Sequence, residues 1–285
     1  MSQLTVIGGN GVRLIADTYG DRGAPAVLLL HGGGQTRHSW RNTARDLADA
    51  GFFAVSADHR GHGDSGWDPD GSYDWPLFRL DVEAWCNELD TPAVVGASLG
   101  GMAALTTAGS RILEGLHPAM RAIVLVDIAP KVEMEGSDKI LGFMSARPDG
   151  FASLDEAADV IAEYLPHRPR PKDTSGLAKN LRLHEDGRYR WHWDPAWIVD
   201  VESRRSARND GRLEEYARAL NFPALLVRGR QSDLLSEDGA RNFLELVPHA
   251  EYVDVAGAGH MVAGDKNDAF TVGVAEFLTR RYAQA

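Results

Sequence analysis

Residues 94–105 read VVGASLGGMAAL. An apolar run ends at Gly96, a lone serine stands at 98, and a run of small residues suited to a helix begins at Leu99. GASLG (96–100) fits the pattern G-x-S-x-G. The pattern alone is weak in a chain with 30 glycines, and its position between a strand and a helix gives it meaning. A strand that becomes a helix within a few residues forces the serine into a strained backbone conformation. Small neighbours at Gly96 and Gly100 let the chain pack closely there. The Ser98 hydroxyl then projects into a cleft, toward which the helix start directs its N–H groups and the positive end of its dipole.

Working outward, short apolar runs alternate with helix-like stretches. AVLLL (26–30) leads to HGGG, FFAVSAD (52–58) to HRGHGDS, AIVLVD (122–127) to IAP, ALLVRG (224–229) to RQSD, and EYVDV (251–255) to AGAGH. Each run is apolar throughout rather than alternating, the pattern of strands buried on both faces of a parallel sheet. Helix-like stretches lie at roughly 39–50, 76–89, 99–109, 237–247 and 266–283. This rhythm predicts a doubly wound, mostly parallel α/β sheet. At the start, TVIGGNGVRLIADTYG (5–20) carries Asn-Gly between two β-rich runs, a hairpin signal.

The rhythm breaks between AIVLVDIAP and ALLVRG. SDKILGFMSARP reads as a helix, and SLDEAADVIAEYLP as another, opened by a capping box at Ser153 and Glu156 and stopped by Pro166. Residues 131–215 are therefore expected to form a helical cap over the carboxyl ends of the strands, with residues 1–130 and 216–285 forming the core. RWHWDPAW (190–197) carries three tryptophans, readable as cap packing or as an aromatic wall of a pocket. Trp40, Met102, Phe143, Met144, Trp191 and Trp193 are the candidate pocket walls.

A serine hydroxyl is a poor nucleophile unless a base lies within hydrogen-bond reach, and the base needs an orienting carboxylate. His260, in GAGHM, is the expected base: of ten histidines it alone follows a late strand run on a Gly-rich loop. It must be neutral to act, so activity is expected to rise with pH as it deprotonates. Asp233, in RGRQSDLLS, is the expected acid because it lies on the loop before the histidine strand. Asp127, at the end of AIVLVD, is the alternative. An oxyanion needs fixed donors. The N–H groups of Leu99 and Gly33 are the candidates, with Gly34 as runner-up.

The totals exclude other classes. A net charge of −11 repels phosphate backbones, and no basic stripe suits an anionic membrane. No apolar stretch approaches a membrane span, and MSQLTVIGGNG does not read as a signal peptide, so a cytoplasmic location is expected. Cys86 is the only cysteine, so no internal disulfide forms; WCNEL reads as helix core. His59 and His62 lack metal-ligand spacing. Asp58, Arg60 and His62 of DHRGHGDS (58–65) are expected to brace loops rather than do chemistry.

LLLHGGG, DHRGHGDSG, VVGASLGGMAA, LLVRGRQSDLLS and GAGHM occur in the order seen in α/β-hydrolase-fold enzymes, and DHRGHGDS resembles the D-x-R-G-H-G-x-S loop of the cap-bearing branch. The resemblance covers residues of about 5–130 and 216–283. It implies Ser98, Asp233 and His260 as nucleophile, acid and base, carboxylesterase-like chemistry on a small, largely apolar molecule with water, and no metal or organic cofactor. Epoxide hydrolases and haloalkane dehalogenases of this fold usually carry Asp where this chain has Ser98, which argues for acyl chemistry. Lactone hydrolysis, C–C cleavage, perhydrolysis and acyl transfer would use the same residues. A small-ligand receptor is the alternative of another class. Natural substrate and oligomeric state stay open.

Overall fold

The computed structural model describes residues 2–165, 170–199, 211–260 and 267–282. An eight-stranded sheet holds β1 (Ser2–Ile7), β2 (Arg13–Tyr19), β3 (Ala26–Leu30), β4 (Phe53–Ala57), β5 (Ala93–Ala97), β6 (Ala122–Val126), β9 (Ala224–Gly229) and β10 (Glu251–Val255). Their order across the sheet is β1-β2-β4-β3-β5-β6-β9-β10. β2 alone runs against the direction of the other strands, pairing antiparallel with β1 and β4; the pairs from β4 to β10 are all parallel. The expected N-terminal hairpin forms with Ile7 opposite Arg13, and Asn10 and Gly11 of its turn adopt positive φ.

The apolar runs face helices on both sides. Leu28, Leu30, Val94, Ile123, Leu125 and Leu226 join one core cluster. It includes residues of α2 (Trp75–Glu88), α3 (Leu99–Leu113), α7 (Arg212–Ala219) and α8 (Glu237–Leu246). Their sequence neighbours Val27, Leu29, Val95, Val124, Leu225 and Val227 join a second cluster with α1 (Arg41–Asp49) and α9 (Asn267–Tyr282). Each fully buried aliphatic chain contributes about 1.5–3 kcal/mol, which makes two-sided burial the main reason these runs are apolar throughout. Cys86 lies within α2, buried in the first cluster, with its thiol pushed up to about 12 by burial. It packs as a small hydrophobe.

Parallel register brings the strand ends into line. Leu30 pairs with both Ala57 and Gly96, Ala97 with Val126, Val126 with Val227, and Gly229 with Val255. The loops carrying HGGG, Asp58, Ser98, Asp127, RQSD and GAGH therefore leave the sheet at one edge.

Between β6 and β9 the chain forms α4 (Met134–Ser145), α5 (Leu154–Tyr164), a 3-10 turn (Ser175–Lys179), a hairpin of β7 (Leu181–Leu183) and β8 (Tyr189–Trp191), and α6 (Pro195–Val199). Ser153 caps α5 by accepting the Glu156 N–H at 3.1 Å, while the Glu156 carboxylate accepts the Ala152 N–H at 2.6 Å. Pro166 lies outside the described residues. The hairpin departs from an all-helical reading. Its signal was Asp186-Gly187, with Gly187 at φ 77. Helix α7 spans the expected boundary at 215 and packs on α3: a Cβ on Gly109 would lie 2.3 Å from Tyr216 Cβ.

Candidate active site

Ser98 follows β5 directly and caps α3 with φ 46 and ψ −112, a conformation most residues avoid. The glycines around it are sterically required. A Cβ on Gly96 would lie 2.5 Å from the Gly100 carbonyl carbon, and one on Gly100 would lie 2.5 Å from the Leu30 carbonyl oxygen. The Ser98 N–H donates to the Val126 carbonyl at 3.4 Å. That contact sets the serine turn beside the end of β6, one residue from Asp127.

His260 donates from Nδ1 to Asp127 Oδ2 at 2.7 Å. Asp127 is fully buried, with φ 51. Its carboxylate also accepts the Gly229 N–H at 2.9 Å and the Ser232 hydroxyl at 2.5 Å. Three donors around a buried carboxylate satisfy its charge and fix its direction. With Nδ1–H engaged, neutral His260 leaves Nε2 as its acceptor.

The expected pairing of His260 with Asp233 is corrected. Asp233 is about half exposed (56%) and bonds Lys139 Nζ at 3.2 Å. The reason is a one-residue phase in the loop after β9. Ser232 N–H closes a turn onto the Gly229 carbonyl at 2.9 Å, and its hydroxyl, directed inward to Asp127, accepts the N–H groups of Leu234 and Leu235 at 3.1 Å each. Ser232 thus takes the inward position, and the next residue points out.

The glycine loop sorts its own amides. Gly32 N–H donates to Gln35 Oε1 at 3.0 Å, and Gly34 N–H donates to His62 Nε2 at 3.1 Å. The runner-up Gly34 is therefore committed inside the protein. The N–H groups of Gly33 and Leu99 meet no acceptor among the described residues, and both residues line the same cavity as Ser98 and His260.

That cavity holds about 1340 Å³. Met102, Phe143, Met144, Trp191 and Trp193 line it as expected. Trp191 and Trp193 stack at 4.7 Å, and Phe143 stacks on Tyr164 at 4.1 Å. Trp40 is a correction: it lies 2% exposed in the core on the other face of the sheet, 5.7 Å from Phe270. It precedes α1, whose apolar side faces α9 rather than the cleft. Trp197, the third tryptophan of RWHWDPAW, lines the cavity too; a Cβ on Gly33 would meet its ring at 2.8 Å.

The family model described as alpha/beta hydrolase fold matches residues 25–266. The chain belongs to the α/β-hydrolase fold family. This hydrolase is 28% identical over 251 residues to esterase Rv0045c of Mycobacterium tuberculosis, covering 85% of this chain and 79% of that one. It is 26% identical to the mouse sn-1-specific diacylglycerol lipase ABHD11, covering 91% and 82% of the two chains. A crystal structure of the M. tuberculosis esterase aligns with a TM-score of 0.75 at 26% identity, over 98% of this chain and 92% of that one. The structure of E-2-(acetamidomethylene)succinate hydrolase shares the fold, with a TM-score of 0.83 at 23% identity over 98% and 100% of the chains.

Beneath the cavity of this hydrolase, the DHRGHGDS loop is pinned by ion pairs. Arg60 is fully buried; it donates from Nε and Nη2 to Asp81 at 2.6 Å each and from Nη1 to Asp68 at 3.0 Å. Arg37 pairs with Asp58, with Asp64 at 2.8 Å and with Asp17 at 3.1 Å. Burial pushes the Asp58 and Asp81 carboxyls up, and the guanidiniums oppose it. His31, His59 and His192 are all lowered, first by burial, His59 and His192 to about 4. Lowered in this way they favour the neutral form, and His31 and His192 each use one ring nitrogen as donor and the other as acceptor. Among the described residues no group of three His, Cys, Asp or Glu is placed to hold a metal ion, and no helix is long and apolar enough to cross a membrane.

Proposed function

We propose that this hydrolase is a serine esterase that works through an acyl-enzyme. His260 Nε2 takes the proton of the Ser98 hydroxyl as Ser98 Oγ attacks the ester carbonyl. Asp127 holds the imidazole through Nδ1 and stabilises the imidazolium that forms. The N–H groups of Leu99 and Gly33 receive the oxyanion. His260 then gives the proton to the leaving alcohol, and the same imidazole activates water to release the acid.

The observation that carries this reading is the 2.7 Å bond from His260 to buried Asp127, in a cavity that the strained Ser98 turn also lines. The esterase and lipase relatives support ester chemistry. The stacked aromatic walls favour esters with an apolar acyl or alcohol part. Hydrolysis of a p-nitrophenyl ester series by the wild-type chain and by Ser98→Ala tests it. Turnover that falls on the order of 10⁶-fold in the variant is expected. No turnover by the wild-type chain, or equal turnover by both, contradicts the reading and favours a ligand-binding role.

A further inference from the structure

Three successive peptide planes of the glycine loop are each held by a different buried histidine. His31 Nδ1–H donates to the Gly32 carbonyl at 2.8 Å, fixing the plane whose other end is the Gly33 N–H. His62 Nε2 accepts the Gly34 N–H at 3.1 Å, fixing the next plane, while its Nδ1–H donates to the Arg60 carbonyl at 3.0 Å. His192 Nε2–H donates to the Gly34 carbonyl at 3.3 Å, fixing the third, whose own N–H, on Gln35, closes back onto the Gly32 carbonyl at 3.1 Å.

Two of these histidines belong to the sheet's own loops. His192 does not. It follows β8 in the segment inserted between β6 and β9, is 1% exposed, and accepts the Gly63 N–H at Nδ1 at 2.8 Å. Neutral in the folded chain, it presents one donor and one acceptor, and both are used. Its ring therefore ties the inserted segment to the glycine loop and to the DHRGHGDS loop at once. Gly34 needs such restraint. At φ 73 it holds a left-handed conformation in a run of three glycines, where no side chain restricts the backbone.

We infer that His192 is a positioning residue: by holding the Gly34 carbonyl it locks the far end of the loop whose first two planes His31 and His62 hold, so the inserted segment must be seated for the Gly33 N–H to stay fixed in the oxyanion site. The inference rests on the serine esterase reading. Oxyanion donors act only when fixed in advance at the place where charge develops. A donor that swings loses transition-state stabilisation while substrate binding, governed by the aromatic walls, changes little.

Three variants separate the two bonds. His192→Gln retains a donor placed for Gly34, His192→Asn retains an acceptor placed for Gly63, and His192→Phe keeps the ring and loses both. Each is assayed with p-nitrophenyl butyrate and with a trifluoromethyl ketone inhibitor, whose tetrahedral adduct places an oxyanion in the site. For His192→Phe and His192→Asn, kcat is expected to fall about 10–100-fold, with KM within about threefold of wild type. Inhibitor affinity should fall in proportion to kcat/KM, and His192→Gln should recover most of both. Wild-type kcat and inhibitor affinity in His192→Phe overturn the inference. So does a loss in His192→Gln as large as in His192→Asn, a comparison that still decides if His192→Phe does not fold. Absence of Ser98-dependent turnover in the wild-type chain removes the underlying reading instead, and this inference with it.

Discussion

Asp127 and His260, 133 residues apart in the chain, meet through a 2.7 Å bond between a fully buried carboxylate and an imidazole Nδ1. Asp127 reaches that position from the end of β6, with its own φ at 51 and its backbone N–H donating to the Val227 carbonyl at 2.7 Å.

The two candidate carboxylates differ in what their loss should do. Asp127→Asn lets the amide donate to His260 and favours the wrong tautomer, so kcat is expected to fall on the order of 10⁴-fold. Asp233→Asn removes a half-exposed partner of Lys139, and kcat should stay within about threefold of wild type, as for a solvent-screened pair. Steady-state kinetics of the two variants side by side check this; a large loss in Asp233→Asn with little in Asp127→Asn contradicts it.

Ser232 shares Oδ2 of Asp127 with His260. Removing its hydroxyl leaves one lone pair of a buried carboxylate without its donor, so Ser232→Ala should lower kcat about tenfold, or about 1.4 kcal/mol. The two residues act as a unit, so the Ser232→Ala effect should shrink below about twofold in an Asp127→Asn background. Equal effects in both backgrounds would show that Ser232 acts elsewhere.

The Arg60–Asp81 pair supports the fold rather than the chemistry. Asp81→Ala leaves a fully buried guanidinium with Asp68 as its remaining carboxylate, and unfolding should become easier by about 3–5 kcal/mol. Urea denaturation measures it. A change below about 1 kcal/mol would mean that the site relaxes and hydrates Arg60.

The neutral histidines make stability depend on pH. His59 and His192 titrate near 4 in the folded chain, against 6.5 when unfolded, with burial the main cause, and His31 is lowered in the same sense. Between these values the unfolded chain takes up protons that the folded chain refuses. This contribution is therefore complete above about 6.5 and is lost as pH falls toward 4, on the order of 3 kcal/mol each for His59 and His192 once fully titrated. Asp58 and Asp81, raised by burial, bind protons more readily when folded and oppose this at the acid end. Urea midpoints at roughly pH 7.5, 6.5, 5.5 and 4.5 should fall steadily; flat midpoints across that range contradict the assignment.

The core was legible because burial on both faces writes itself locally. AVLLL and ALLVRG are buried strands over the same residues that their apolar runs mark, EYVDV is a partly buried edge strand over its own, and the helix after Ser98 begins at Leu99. The failures share a different cause. Which of Ser232 and Asp233 points inward depends on the bond from the Ser232 hydroxyl to Asp127, 105 residues away at the end of β6, a partner no local pattern carries. Trp40 looks like a pocket wall because it follows the glycine loop, yet the packing of α1 on α9 turns it to the far side of the sheet. His192 and Trp197 lay within the singled-out RWHWDPAW stretch, but their partners Gly34 and Gly33 are more than 150 residues away in sequence.

The most direct test is the rate and place of phosphonylation by a fluorophosphonate, read by mass spectrometry of the digested protein. One adduct is expected, on the hydroxyl of residue 98. Its rate of formation should drop steeply when the carboxylate at 127 becomes an amide and stay near wild type when the one at 233 does. An adduct on another residue, or the reverse ranking of those two variants, would contradict the account.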